Sequence, residues 1–383
     1  MVDKNYNEKF SKILVIKDIS LMTMKIPLKK PIKMSGITVS YAENLFIKII
    51  DETGFFGWGE ASSAPTMTGE FAEGMFAAAS FLKPQLIGKK ISCLEDLNLL
   101  KKLPIYENKG TISAYEIALI DLISKLNNIP INSLIAHPVR KKIPIIQMVA
   151  GQSLDEEIDN LQYAISKGFT RFKIKIGSSG NYLNDLDRCK NIIKSSGSSC
   201  IFSADANEGY DFKDALAFSE NAKEVGLTFF EQPISAKNLM EMTNITSKSS
   251  VPVCSDEGVH SINDIKYIVD NKSSNGVSLK TIKLGGMLDV LKCANYAFIN
   301  SLHVNLAGKV AETSISSLAI AHLACCIPQM DWDLSITNQY LKEDPVLKPL
   351  EIVNGHIELK NNIGLGTEID EKIASKYIQL FEE

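Results

Sequence analysis

The chain has 383 residues, 45% of them hydrophobic and 22% charged, with a formal net charge of -4. These totals fit a globular protein larger than one minimal domain and lack the basic field that a nucleic-acid partner calls for. No run of about 18 apolar residues offers a membrane span, and residues 1–10 lack a signal peptide's apolar core, so a cytoplasmic location is expected.

The first stretch, residues 1–135, reads as α+β. Residues 13–27 alternate as a strand does, and the apolar runs 44–50 and 55–60 flank Asp51-Glu52-Thr53-Gly54 in a hairpin pattern. Helical periodicity follows over 70–81, 94–103 and 112–125. Between these elements, 31–41 and 61–69 read as polar, flexible loops of a kind that often carries function.

From about residue 143 the rhythm changes. Strand signals at 143–150, 170–176, 200–204, 227–230, 251–254, 276–279 and 303–306 alternate with helical patterns, at a repeat of about 25 to 30 residues. This is the pattern of parallel βαβ units. With a short eighth strand near 330–332, the fold class is α/β: a barrel over 136–335. Residues 336–383 break the rhythm again. They hold an Asn354-Gly355 hairpin signal and a final helix over 369–381, and read as a tail packing back on the N-terminal domain. The seven cysteines are scattered apart from the adjacent Cys325-Cys326 and read as buried reduced thiols.

Active sites of such barrels lie at the C-terminal tips of the strands. The second strand ends in Lys173-Ile174-Lys175, with both lysines on one face. The third ends in Asp205-Ala206-Asn207, the fourth in Glu231-Gln232-Pro233, the fifth in Asp256-Glu257 and the sixth in Lys280. Asp205, Glu231 and Asp256 stand 26 and 25 residues apart, one per βα unit. Any one of them could cap a helix. Three on successive tips repel one another unless a cation neutralises them, and an all-oxygen set favours magnesium or manganese over zinc. Asn207 and Glu257 sit beside these ligands as supporting residues. Lysines on an inward barrel face are costly unless used. Lys175 and Lys280 would flank the metal from opposite sides as general bases. Lys283 is given no role. His303 and His322 read as structural, Trp58 as capping-domain packing and Trp332 as a filler of the barrel end.

This set, together with Gly57-Trp58-Gly59-Glu60 and Leu279-Lys280-Thr281-Ile282-Lys283-Leu284-Gly285-Gly286, resembles the muconate lactonizing enzyme subgroup of the enolase superfamily. The resemblance implies an α+β capping domain on a modified (β/α)7β barrel, with 31–41 and 61–69 closing over its mouth. It implies magnesium on Asp205, Glu231 and Asp256, holding a substrate carboxylate, and an enediolate stabilised by the metal and Lys173. Lysines on both faces would permit abstraction on one and return on the other. Relatives are often homo-oligomers.

Within the subgroup, Asp331-Trp332-Asp333 resembles the Asp-x-Asp that binds the free ammonium of the substrate in dipeptide epimerases, and 308–313 resembles their seventh-strand segment. The implied activity is therefore epimerisation of a dipeptide at its second residue, with Ala-Glu, a peptidoglycan fragment, as the candidate. An arginine common in the first closing loop is replaced by Ile37; Lys309 or Lys33 could supply that cation. N-acylamino acid racemase, o-succinylbenzoate synthase, cycloisomerase and a non-catalytic carboxylate-binding scaffold are the other readings.

Overall fold

The structure is a computed structural model that describes residues 5–34, 37–178, 180–360 and 362–379, with the side chains of all of these except 33 and 34. The capping domain is an antiparallel sheet in which β1 (Leu14–Met34) pairs along almost its whole length with β2 (Ile37–Asp51), and β2 with β3 (Phe56–Ser62). Alternation buries Ile16, Met24, Ile26, Leu45, Ile47 and Ile49. Two helices, α1 (Ala72–Leu86) and α2 (Lys109–Asn127), cover the sheet, and a 3₁₀ helix (Leu94–Lys102) stands where the spacing predicts an α-helix.

The Gly-Trp-Gly-Glu motif has a packing cause. A Cβ on Gly57 would lie 2.1 Å from the Ala118 carbonyl, and one on Gly59 would lie 1.9 Å from that of Ala114. Only glycine lets β3 lie this close to α2. Trp58, buried as the sequence suggests, hands its backbone N–H to Asp121 at 2.9 Å.

The barrel's eight parallel strands run in sequence order: Ile146–Val149, Arg171–Lys175, Ile201–Asp205, Leu227–Glu231, Val253–Ser255, Gly276–Leu279, His303–Ala307 and Leu334–Ser335. A parallel bridge from Leu334 to Ile145 brings the last strand against the first.

Three sequence expectations shift. The eighth strand is 334–335, not 330–332, because Asp333 takes a left-handed φ of 54° and closes a turn onto the Met330 carbonyl before the strand begins. The stretch 31–41 is mostly strand, the tip of the β1–β2 hairpin, with residues 35 and 36 outside the described set. The tail ends in a short helix (Glu371–Ala374) and a strand (Ile378–Gln379) rather than one long helix, since Asp370 caps the helix and the next residues pair with Thr23 and Met24 of β1; residues 380 and 381 lie outside the described set. Asn354 and Gly355 do form a left-handed turn, but the strand after them (His356–Glu358) pairs with Lys142–Pro144. None of the seven cysteines is in a disulfide among the described residues, and no helix of the described residues is long and apolar enough to cross a membrane.

Candidate active site at the barrel mouth

One cavity opens where the strand tips face the capping domain. Strand register assembles its floor. Lys175 pairs with Asp205, Asp205 with Glu231, and Glu231 with Cys254, two residues before Asp256. Asp205, Glu231 and Asp256 are buried to within 2% of full burial. Gln232, to which the sequence assigns no role of its own, accepts the Asp256 N–H at 2.8 Å and so fixes that tip.

Each acid is met by lysine. Lys173 bonds to Glu231. Lys175 donates to Asp205 at 2.5 Å and to Asn207 at 2.8 Å. Lys280 and the fully buried Lys283 both bond to Asp256. Lys283, given no role from the sequence, is thus part of the floor; its place three residues past a strand-tip lysine, within the Leu279–Gly286 motif, was the signal for it. Burial opposes the charge on Lys173, but Glu231 and Asp205 outweigh it and hold its pKa above the ordinary lysine value. Lys280 is raised likewise, burial being overcome by Asp256, Glu257 and Glu231. Burial and then the neighbouring acids Asp256 and Asp205 push Glu257 up to about 8. Asn207 donates to Glu257 at 3.0 Å, tying the two supporting residues together.

With the lysines turned onto the acids, no three acidic, histidine or cysteine side chains of the described residues stand close enough together to enclose an ion. The donor chemistry nonetheless suits one. Asp205 and Asp256 both push the Glu231 pKa upward, after burial itself, which is the mutual repulsion a shared cation relieves. An all-oxygen set suits a hard divalent cation such as magnesium or manganese.

The remaining wall comes from the seventh, eighth and first strands and the capping domain. It includes Lys309, Val310, Ser335, Ile336, Thr337, Ile146, Met148, Ile37, Thr66 and Met67. Both loops named from the sequence therefore reach the mouth; Lys33's side chain lies outside the described set.

Asp331 and Asp333 are not there. Asp333 accepts from Arg171 Nε at 2.9 Å, and Asp331 lies 2.5 Å from His303 Nδ1 and 3.0 Å from Gln329 Nε2. Arg171 and His303 are the first residues of their strands, so this cluster lies at the N-terminal end of the barrel, opposite the mouth. Trp332 between them stacks on Phe229 and His303 and fills that end, as the sequence suggests. The expectation that Asp331 and Asp333 bind a substrate ammonium is therefore corrected. The cause is the late start of the eighth strand, which gives its tip to Ser335, Ile336 and Thr337.

The model of the mandelate racemase / muconate lactonizing enzyme N-terminal domain matches residues 17–136, and that of the enolase C-terminal domain-like family matches 156–373. A chloromuconate cycloisomerase of Cupriavidus necator is 27% identical, covering 94% of this chain and 98% of its own. An N-succinyl-L-Arg/Lys racemase of Bacillus cereus is 26% identical over 92% of this chain and 95% of its own. The structure of a substrate-liganded L-Ala-D/L-Glu epimerase from Bacillus subtilis superposes with a TM-score of 0.87 at 25% identity, covering 92% and 99%. The chain belongs to the enolase superfamily, in its muconate lactonizing enzyme subgroup.

Proposed function

We propose that this enzyme is a divalent-metal-dependent isomerase that moves the proton on the carbon next to a carboxylate, acting on an N-acylated α-amino acid. The observation that carries the reading is the placement of Lys175 and Lys280. They stand on the second and sixth of eight strands, hence on opposite sides of the barrel axis, with the three carboxylates on the strands between.

Asp205, Glu231 and Asp256 would hold the cation, with magnesium as the family's usual ion. Bound there, the ion would take up a substrate carboxylate and acidify the adjacent C–H. The chain's own residues do the rest. Lys175 or Lys280, freed of its proton, takes the α-proton from one face, and the other returns one on the opposite face, which inverts the centre. Lys173, fixed by Glu231, supplies positive charge where negative charge develops. Asn207 orients Lys175 through the bond to its Nζ, and Gln232 and Lys283 hold Asp256 in place.

The acyl-amino-acid substrate follows from what the eighth-strand tip offers. Ser335 and Thr337 are neutral, so a free ammonium has no acid there. That weakens the dipeptide expectation, which rested on Asp331 and Asp333. A dipeptide epimerase remains the second reading, supported by the likeness to the Bacillus subtilis enzyme and by Glu208, an acid on the cavity wall that accepts the Ala236 N–H through one carboxylate oxygen.

The test is α-proton exchange in deuterated water with magnesium, followed by NMR, on N-acetyl and N-succinyl amino acids and on L-Ala-L-Glu. Exchange with inversion on the acylated amino acids supports the proposal. Exchange on the dipeptide alone supports the second reading. Absence of exchange on all of them, with turnover of a cyclic or unsaturated dicarboxylate, assigns the site to cycloisomerase chemistry.

A further inference from the structure

Building on the proposed reaction, we infer that Lys309, with Ser335, forms a subsite for a second carboxylate at the far end of the substrate from the one next to the reacting carbon.

Five lysines are buried or half-buried around this cavity, and four of them are paired with acids. Lys309 is the exception. It is 5% exposed and lines the cavity, yet among the described residues no hydrogen bond or ion pair reaches its Nζ. Its backbone is held firmly: the Lys309 carbonyl accepts from Thr337 Oγ1 at 2.7 Å and from the Glu312 N–H at 3.3 Å. The side chain is therefore carried by a fixed turn into the cavity. A buried cation with no partner is unfavourable, and a fold retains one where an incoming anion completes it.

A second unpaired donor lies in the wall of the same cavity. Ser335 pairs in register with Ala307, two residues before Lys309, and lines the same cavity, and its Oγ is buried with no partner among the described residues. A lysine just past the seventh strand and a hydroxyl on the eighth, both unsatisfied, suit the two oxygens of a carboxylate.

The neighbouring acid does not do this job. Glu312 makes no ion pair with Lys309 among the described residues; burial and then Glu60 hold its carboxyl above the ordinary value, burial and then Lys280 lower Lys309, and the Glu312 Oε2 has no partner among the described residues. The rest of this side of the wall is uncharged, mostly apolar (Ile37, Met67, Ile146, Met148, Val310 and Ile336) with the hydroxyls of Thr66, Thr337 and Tyr340 among it, and Lys309 is its only cation among the described side chains. A substrate held at the third to fifth strands extends its tail toward this side. An uncharged tail leaves Lys309 buried and alone; a carboxylate neutralises it. The charge could sit on the acyl arm, as in an N-succinyl group, or on an acidic amino-acid side chain.

The experiment compares N-succinyl with N-butyryl forms of one neutral amino acid, and N-acetylglutamate with N-acetylglutamine, in wild type, Lys309→Met and Lys309→Arg, all with magnesium. We expect wild type to prefer the dianion by on the order of 100-fold in kcat/KM in one of the two pairs, which names the arm that carries the charge. Lys309→Met should abolish that preference and Lys309→Arg should largely keep it. Because Lys309→Met removes an unpaired buried charge, its melting temperature should rise, which also shows that the variant folds. A melting temperature that falls, or a loss shared equally by dianions and monoanions, overturns the subsite. Calorimetric binding of glutarate against butyrate separates the two levels of the argument. If no acylated amino acid exchanges yet wild type binds glutarate selectively and Lys309→Met does not, the reaction reading fails and the subsite stands. If exchange proceeds without dianion preference, and glutarate binds no better than butyrate, only the subsite falls.

Discussion

Arg171 and Asp333 hold each other across the N-terminal end of the barrel, Nε to Oδ2 at 2.9 Å, with the arginine leading the second strand into the sheet and the aspartate ending the turn before the eighth. This pairing separates two roles that Asp333 could have. A residue at the strand beginnings serves stability, and one at the tips serves chemistry. Asp333→Asn should lower stability by about 1 kcal/mol, since the ion pair is partly exposed, and leave kcat/KM within a few-fold of wild type. Thermal melts beside kinetics on the best substrate check this. A hundredfold loss of activity at unchanged stability would restore Asp333 to the substrate site.

The lysine contacts of the three floor acids lead to a prediction about magnesium. A dication entering between Asp205, Glu231 and Asp256 competes with Lys173, Lys175 and Lys280 for the same oxygens. An ion that binds only the folded state stabilises it, by about 2.7 kcal/mol at a hundredfold excess over Kd. Magnesium should therefore raise the melting temperature of wild type in a concentration-dependent way, and Glu231→Gln should lose that rise together with activity. A rise that persists in Glu231→Gln would place the ion elsewhere.

How far the sequence reached is clearest at the strand ends. Each of the first seven strands has a companion helix and a long enough apolar run, so period and spacing located its tip, and Lys173, Lys175, Asp205, Glu231, Asp256 and Lys280 were legible from chain position alone. The eighth strand is two residues long. No run marks it, and only the left-handed backbone of Asp333, invisible in the residue types, shows where it starts. An error of a few residues there moved two carboxylates from one end of the barrel to the other. The contacts of Lys283 and Gln232 with Asp256 were illegible for another reason: they join neighbouring βα units, and residue spacing does not show which side chains meet across them. The tail's expected helix failed because a strand of β1, more than 350 residues away, captures its end.

His322 gives a pH-dependent prediction whose sign can be worked out. It lies on the fully buried helix Ser314–Cys326, and burial lowers its pKa from 6.5 to about 4. Between these values the unfolded chain binds a proton that the folded one refuses. Stability from this residue is complete above pH 6.5 and is lost as pH falls toward 4, by about 1.4 kcal/mol per pH unit. Buried carboxylates such as Glu60 and Glu116, each raised to about 7 chiefly by burial, act in the opposite direction. The difference between wild type and His322→Leu isolates the histidine. Urea denaturation at pH 7 and pH 5 should show the wild type losing more stability than the variant on acidification; equal losses would mean that His322 is protonated in the fold.

Glu60 makes a polar joint between the capping domain and the barrel. From β3 its carboxylate accepts the Thr313 N–H at 2.8 Å, the Thr313 hydroxyl at 2.7 Å and the Ser316 N–H at 2.9 Å, which satisfies the free donors at the start of the helix Ser314–Cys326. Asn44 on β2 donates to Glu60 at 2.6 Å and to the Ala311 carbonyl at 2.8 Å, so sheet, turn and helix meet at one group. That turn carries Lys309 into the cavity. Glu60→Ala removes the acceptor and leaves buried N–H groups unpaired, a loss of about 2 to 4 kcal/mol over the set. Glu60→Gln keeps an acceptor oxygen and should lose less. The effect should spread to the site: KM should rise more than kcat falls, because the turn bearing Lys309 loosens while the floor lysines stay fixed by their own acids. Amide exchange at Ser316 and steady-state kinetics on both variants check this. A Glu60→Ala protein that is destabilised but keeps its KM would confine Glu60 to holding the two domains together.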